Sequence, residues 1–191
     1  INPDKDVDGL HPINSGNLLQ GKPNFIPCTP FGCIKILEYY EIDTNSKNIV
    51  IVGRSNLVGK PLFALLSQKF KVGNATVTLC HTGTKNNSDF TKTADIVIAA
   101  VGSEKLLTKD MIKNDTVLID VGINRVDDDS EKGYSLVGDI DYDGVFDKAG
   151  AITPVPGGVG VMTVTMLLFN TVLSATRKEN TWVYQKIFYL K

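Results

Sequence analysis

An α/β fold with a doubly wound, mostly parallel sheet is what this sequence predicts, on three observations. Short β-branched or apolar runs, Ile49–Val52, Ala75–Cys80, Ala94–Val101, Thr116–Val121 and Ala151–Thr153, recur with helical or loop stretches between them. Such alternation is expected of parallel strands joined by crossovers. Several runs stop at glycine or small polar residues, at Gly53, His81-Thr82-Gly83, Gly102 and Gly122, and open α/β sheets bind ligands at that carboxyl edge. Finally, Ile49-Val50-Ile51-Val52 breaks at Gly53 and restarts at Pro61 as the helical pattern Leu62-Phe63-Ala64-Leu65-Leu66, a strand, a tight turn and a helix.

Taken in order, residues 1–28 carry Pro3, Gly9, Pro12, Gly16, Gly21, Pro23 and Pro27 and are expected to stay out of long regular elements, on a surface or lining a site. Asp6 and Asp8 flank Val7 there, with His11 following; a solvated acidic turn and a site remain equal readings of these residues. Thr29-Pro30 is a helix start, with a hydroxyl N-cap and proline in the first turn, and Ile34, Ile36, Leu37 and Tyr40 give an apolar face to about Tyr40. Glu41–Lys47 links it to the first strand. A helix over Pro61–Phe70 follows the glycine turn, and after the last strand Pro154–Gly160 leads into a long apolar helix over Met162–Arg177. The tail Trp182–Lys191 is aromatic-rich without a clear period and is expected to dock on neighbouring surface.

The chain has 191 residues, 42% hydrophobic, and a formal net charge of −1, which fits one packed domain or one domain plus a fragment. That charge, with no local cluster of Lys and Arg, leaves no electrostatic footprint for nucleic acid or an anionic membrane, and neither is expected as a partner. The longest apolar stretches, such as Val164–Phe169, fall short of the ~20 residues a membrane span needs, and no basic segment with an apolar core opens the chain. A cytoplasmic or organelle-matrix location is expected. Cys28, Cys33 and Cys80 cannot all pair and lack zinc-ligand spacing, so they are read as reduced and buried, with no metal. The sequence opens at Ile1 rather than Met and is expected to be cut or processed.

The turn after the first strand suggests a dinucleotide. Gly53 permits a sharp turn, and Gly59 permits close approach of a strand or a phosphate to the helix start. The usual three-glycine fingerprint is incomplete, because Arg54 and Ser55 follow Gly53 directly; a glycine-containing turn that binds nothing stays open. An NAD site usually ends its second strand in Asp or Glu, to bind ribose hydroxyls. Here the strand ends Cys80-His81-Thr82, and Arg54 with the Thr82 hydroxyl suits the 2′-phosphate of NADP better than NAD; the alternative for Arg54 is a surface salt bridge. The run Pro156-Gly157-Gly158-Val159-Gly160 exposes backbone that a flat heterocycle or an anion could use, or is a plain turn.

With these motifs placed, the sequence resembles the bifunctional 5,10-methylenetetrahydrofolate dehydrogenase/5,10-methenyltetrahydrofolate cyclohydrolase family. Five blocks match in order: Lys5–Leu10, Pro27–Pro30 with Gly32-Cys33, Gly53–Ser55 with Val58-Gly59 and Pro61, Asp120–Asn124, and Thr153–Gly160. The resemblance covers nearly all of residues 3–178. It implies a Rossmann-like NADP-binding domain over 41–159, a remnant of the folate/catalytic domain over 1–40, and a C-terminal helix and tail returning to that domain over 160–191. It further implies a folate substrate held by Asp8 and by Pro156, Gly157, Gly158, Val159 and Gly160, and a cofactor held by Gly53, Arg54, Ser55 and Thr82, with Ile123 near the nicotinamide. A homodimer in one-carbon metabolism, serving purine biosynthesis, is implied in the same way.

Departures from the family pattern are Thr82 in place of a common Ser and Val161 in place of a common Pro. The family's Tyr-x-x-x-Lys motif is absent, since no tyrosine here is followed by lysine at the fourth position, so no catalytic residue is assigned in this chain. The expected activity is oxidation of 5,10-methylenetetrahydrofolate, with hydrolysis to 10-formyltetrahydrofolate in the complete enzyme. A non-catalytic NADP-binding module is the second reading, and an amino-acid dehydrogenase, which would need a lysine site for a substrate carboxylate, the third. With partner elements absent, helices 29–40 and 162–177 are expected to show apolar outer faces.

Overall fold

A computed structural model of the chain describes residues 1–176; Arg177 and the tail Trp182–Lys191 lie outside them. In chain order the elements are α1 (Pro12–Leu19), α2 (Cys28–Tyr39), β1 (Asn48–Val52), α3 (Gly59–Ser67), β2 (Thr76–Cys80), α4 (Ser88–Thr91), β3 (Ile96–Ala99), β4 (Thr116–Asp120), β5 (Asn124–Asp127), β6 (Tyr134–Val137), α5 (Tyr142–Val145), β7 (Ala149–Ile152) and α6 (Val159–Thr176).

The apolar runs pair because burial on both faces suits β-branched side chains. Five strands form one sheet in the order β2-β1-β3-β4-β7, and the pairs β1/β3, β3/β4 and β4/β7 are parallel. Ile49–Val52 runs beside Ile96–Ala99, and these beside Val117–Asp120. Val50, Val52, Val97, Ala99 and Leu118 meet Ala94, Leu107, Ile112, Ile140 and Val145 in one core cluster. Strand alternation puts Ile49, Ile51, Ile96, Ile98 and Ile119 on the opposite face, none more than 2% exposed. The edge strands are wetter, and there threonine and glycine replace the Ile/Val run, as in Thr76-Val77-Thr78 and Gly150.

The chain divides into two compact units. The first comprises Ile1–Lys47, Ser55–Val77 and the chain from Val161 on; the second comprises Asn48–Arg54 and Thr78–Gly160. The helix after the glycine turn, placed by sequence within 41–159, therefore groups with the first unit.

In the first unit the turn-rich start holds a helix that composition concealed. His11 Nδ1 accepts from the Ile13 N–H, Pro12 occupies the first helical position, and buried Asn14 and Leu18 share one face of α1. The second helix starts earlier than expected, at Cys28 with Pro27 as its N-cap, so Thr29 is not the cap; the Thr163 and Thr29 hydroxyls are hydrogen-bonded at 3.0 Å instead. Its apolar outer face is also corrected. Phe31, Cys33, Ile34 and Leu37 are buried, Phe31 against Phe169 edge-to-face at 5.7 Å, and the large exposed side chains at its end are Tyr39 and Tyr40.

The last helix begins at Val159 rather than Met162, and its 18 residues are long and apolar enough, by length and composition, to cross a membrane. This corrects the expectation that no stretch is long enough: Thr165, Thr171 and Thr176 donate to carbonyls four residues earlier, so their hydroxyls do not interrupt it. One stripe, Met166, Asn170, Leu173 and Ser174, is buried; on the other, Val161, Val164, Leu168 and Val172 are each at least 60% exposed, as the sequence led one to expect.

Asn170 is the polar anchor of the buried stripe. Its Nδ2 donates to Val7 O at 2.7 Å and Ile26 O at 3.0 Å. Replacing Asn170 with Ala removes the donor from the buried Ile26 carbonyl and from the part-buried Val7 carbonyl, and the expected loss is about 1–3 kcal/mol of unfolding free energy in urea, with the slope unchanged; a loss below about 0.5 kcal/mol would contradict this anchoring.

Candidate functional site

Strand order reverses at β1, since β2 lies on one side of it and β3 on the other, and ligands of such sheets bind in the crevice at that switch point. Gly53 sits there with φ +126°, and a Cβ at this position would overlap the Ala100 carbonyl oxygen. Only glycine lets the first turn approach the end of β3 this closely. The Gly53 N–H donates to Cys80 O at 2.9 Å, drawing in the end of β2. Arg54 emerges exposed and makes no ion pair among the described residues, so the surface salt bridge has no partner there. After β2, the His81 N–H donates to Thr84 Oγ1 at 3.0 Å and the Gly83 N–H to His81 Nδ1 at 3.0 Å, a tight turn that leaves Thr82 exposed. With Nδ1 accepting, the neutral His81 ring carries its proton on Nε2. Ser55 groups with the first unit, where its Oγ accepts from the Val58 N–H at 3.0 Å.

At the end of β4 stand two carboxylates. Asp120, 3% exposed, accepts from the N–H groups of Gly122 (3.0 Å), Asp139 (2.9 Å) and Ile140 (2.9 Å), while its own N–H donates to Thr153 Oγ1 at 2.8 Å. Asp139, fully buried, accepts from the N–H groups of Val101 (2.6 Å), Gly102 (3.0 Å) and Ser103 (2.9 Å) and from Asn124 Nδ2 (3.0 Å). Ile123 is 59% exposed, and its Cδ1 lies 3.4 Å from where a Cβ on Gly160 would be. In the Pro-Gly run the Val155–Pro156 peptide is cis, Pro156, Gly157 and Gly160 are exposed and Gly158 is half-buried. Val159 is buried, so its side chain is a core residue.

In the first unit the two acids of the early block have different roles. Asp6 accepts from the His11 N–H at 2.7 Å and Asn14 Nδ2 at 2.8 Å. Burial works to raise its pKa, but Asn14, the backbone N–H groups of His11 and Leu10 and the nearby His11 ring outweigh it and hold the carboxyl below its ordinary value. Asp8 is exposed, with the Cys28 Sγ at 3.8 Å from its Oδ1. Burial and the Asp8 charge push the Cys28 thiol up to about 11, so it stays a thiol at neutral pH. All three cysteines are free and buried.

A family model for the tetrahydrofolate dehydrogenase/cyclohydrolase NAD(P)-binding domain matches residues 27–179. The chain belongs to this family. Among curated relatives, the bifunctional protein FolD of Natronomonas pharaonis is 56% identical over 180 residues, covering 94% of this chain and 61% of that protein. The crystal structure of the bifunctional FolD methylenetetrahydrofolate dehydrogenase/cyclohydrolase of Campylobacter jejuni matches with a TM-score of 0.82 at 50% identity, over 90% of this chain and 58% of that one. The Trypanosoma brucei enzyme, solved with NADP cofactor and an inhibitor, gives 0.83 at 38% identity, over 91% and 59%. This chain thus spans about three-fifths of the length of these relatives.

Within this tetrahydrofolate dehydrogenase/cyclohydrolase domain, the second unit brings together Gly53, Arg54 and Thr82 at neighbouring strand ends, and separately Ile123 with Gly160. The sequence assigned no role to Asp139, Asn124 or Thr153, whose hydrogen bonds tie this edge together. The available signal was Asp120, an acid closing a buried apolar strand, and the glycines Gly122 and Gly138 beside the two acids. Burial, with repulsion from Asp139, pushes the Asp120 carboxyl up to about 6 despite its three N–H donors. A folded-state value above the unfolded one favours folding below about pH 4, and that contribution is lost as pH rises through 6. The stability advantage of wild type over Asp120→Asn should therefore be larger at pH 4.5 than at pH 7.5, by about 2 kcal/mol in urea unfolding; an advantage constant with pH would contradict the shift.

Proposed function

We propose that the complete protein oxidises 5,10-methylenetetrahydrofolate to 5,10-methenyltetrahydrofolate with NADP and then hydrolyses the product to 10-formyltetrahydrofolate. The observation that carries the cofactor reading is the edge where Arg54 and Thr82 leave neighbouring strands tied by the Gly53 N–H to Cys80 O, with no carboxylate closing β2. A permanently charged guanidinium beside a hydroxyl, in no ion pair among the described residues, matches a 2′-phosphate better than a ribose diol. NADP, when bound, supplies the hydride acceptor. The chain's own share is positioning: Gly53 admits the pyrophosphate, Arg54 and Thr82 hold the adenosine end, and Ile123 borders the nicotinamide end.

For the folate, Asp8 offers two acceptor oxygens to the adjacent amide and amino N–H groups of a pterin, and Pro156, Gly157, Gly158 and Gly160 offer unobstructed backbone. Residues 1–40 and 160–191 belong to the folate domain in this reading, and 41–159 to the nucleotide domain. A homodimer, a cytoplasmic or organelle-matrix location and a role in purine supply are parts of the same proposal. The missing Tyr-x-x-x-Lys pattern favours a second reading for these 191 residues alone, an NADP-binding module without turnover. Assay of the 191 residues for methenyltetrahydrofolate hydrolysis separates the two.

Arg54→Ala should weaken NADP binding about 10- to 100-fold by titration and leave NAD binding within twofold; equal losses for both cofactors would contradict the 2′-phosphate role. In the complete protein, Asp8→Asn turns one acceptor into a donor and should raise the folate KM about tenfold or more while cofactor affinity stays put. Normal folate kinetics in that variant would rule Asp8 out as a contact.

A further inference from the structure

Three consecutive backbone N–H groups at a strand end ordinarily make an anion-binding nest, the kind of cradle that takes a phosphate. The loop after β3 has such a set, Val101, Gly102 and Ser103, and it borders the switch-point crevice through the contact of Ala100 with Gly53. All three donors point to the Asp139 carboxylate, at 2.6, 3.0 and 2.9 Å. The protein fills this nest with its own anion.

The same carboxylate takes Asn124 Nδ2 at 3.0 Å, at the far end of the Gly122-Ile123-Asn124 turn. Asp139 is itself held from behind: its N–H and that of Ile140 donate to Asp120, whose Oδ1 also takes the Gly122 N–H. Both acids fit only because the facing residues lack side chains. A Cβ at Gly122 would overlap the Asp139 carboxylate, and a Cβ at Gly138 would overlap that of Asp120.

We propose that Asp139 is a positioning residue that locks the loop 101–103 and the turn 122–124 into one wall, setting the nicotinamide end of the cofactor and leaving its phosphates to the glycine turn after β1. The inference rests on the NADP-dependent reading above. An Asp supplies two oxygens for four donors, and an Asn supplies one, so Asp139→Asn frees part of the loop without opening a large cavity. Misplacing reacting groups by about 1 Å costs rate by up to about 100-fold without any need to change distant binding contacts.

The test uses the complete protein with three readouts: turnover of methylenetetrahydrofolate with NADP, affinity for 2′,5′-ADP as a probe of the adenosine end alone, and rescue by formate. For Asp139→Asn the expected result is kcat lowered about 10- to 100-fold, with 2′,5′-ADP affinity within twofold of wild type. Asp139→Gly should lose at least as much and recover severalfold in added formate, which can reoccupy the nest, whereas acetamide should not rescue. If the Asp139 variants fail to fold, Asn124→Ala keeps the nest filled and frees only the turn, and should lower kcat severalfold at unchanged 2′,5′-ADP affinity. Unchanged kcat in folded variants, or kcat and 2′,5′-ADP affinity falling together, overturns the positioning role. Failure of the wild type itself to bind 2′,5′-ADP or reduce NADP overturns the functional reading and this inference with it, so the wild-type arm tells the two failures apart.

Discussion

Two buried carboxylates with only N–H groups for partners hold the working edge of the sheet. A buried charge without compensation is among the most costly things a protein can contain. Asp120 and Asp139 are compensated by donors from three stretches of chain, after β3, β4 and β6, and the donors are mostly backbone, fixed in place by the strands they follow. Charge-assisted bonds of this kind are short and directional. The arrangement exchanges one demand for another: each acid needs its N–H set, and each loop needs its acid, so the edge is stiff only when complete. Neither acid faces a cation within 4 Å among the described residues, and burial, with repulsion from Asp139, pushes the Asp120 carboxyl up to about 6.

Acids elsewhere in the chain divide along the same line. Asp6 spends its oxygens on the His11 N–H and the Asn14 amide and shapes the start of α1, whereas Asp8, two residues on, stays exposed beside the Cys28 thiol. Sequence alone left the pair as a solvated turn or a site. The structure gives them different surroundings: the Asp6 oxygens are taken by protein donors, while Asp8 is exposed with only the Cys28 thiol near one oxygen.

The parts of the fold that were legible in the sequence are those where one physical term dominates. β1, β3 and β4 are buried on both faces, so their residues are almost all Ile, Val, Leu and Ala and the strands announce themselves. Glycine at position 53 is legible for a similar reason, since a single steric demand fixes it. What escaped depends on bonds between residues far apart or of ambiguous type. α1 hides behind Pro12 and Gly16 and exists because His11 caps it and Asn14 and Leu18 are buried. The antiparallel hairpin of β5 and β6 is polar, with Arg125 stacked over Tyr134 at 4.1 Å and an acidic turn between, and no apolar alternation marks it. Asp139 escaped because its donors come from residues 101–103 and 124, a set no local window contains.

The division of the chain into segments has a consequence for how the protein is made. The segments of the second unit, Asn48–Arg54 and Thr78–Gly160, have all been synthesised once Gly160 is added to the chain. The first unit is assembled from three separate segments, and its opening residues wait for the last helix: Ser174 Oγ donates to Asp4 O and the Lys5 ammonium to Ser174 O, contacts about 170 residues apart. Contacts of such separation form late because closing the intervening loop costs entropy before they reward it. During synthesis α1, α2 and α3 therefore precede α6, and the edge-to-face contact of Phe31 with Phe169 waits until that helix has emerged.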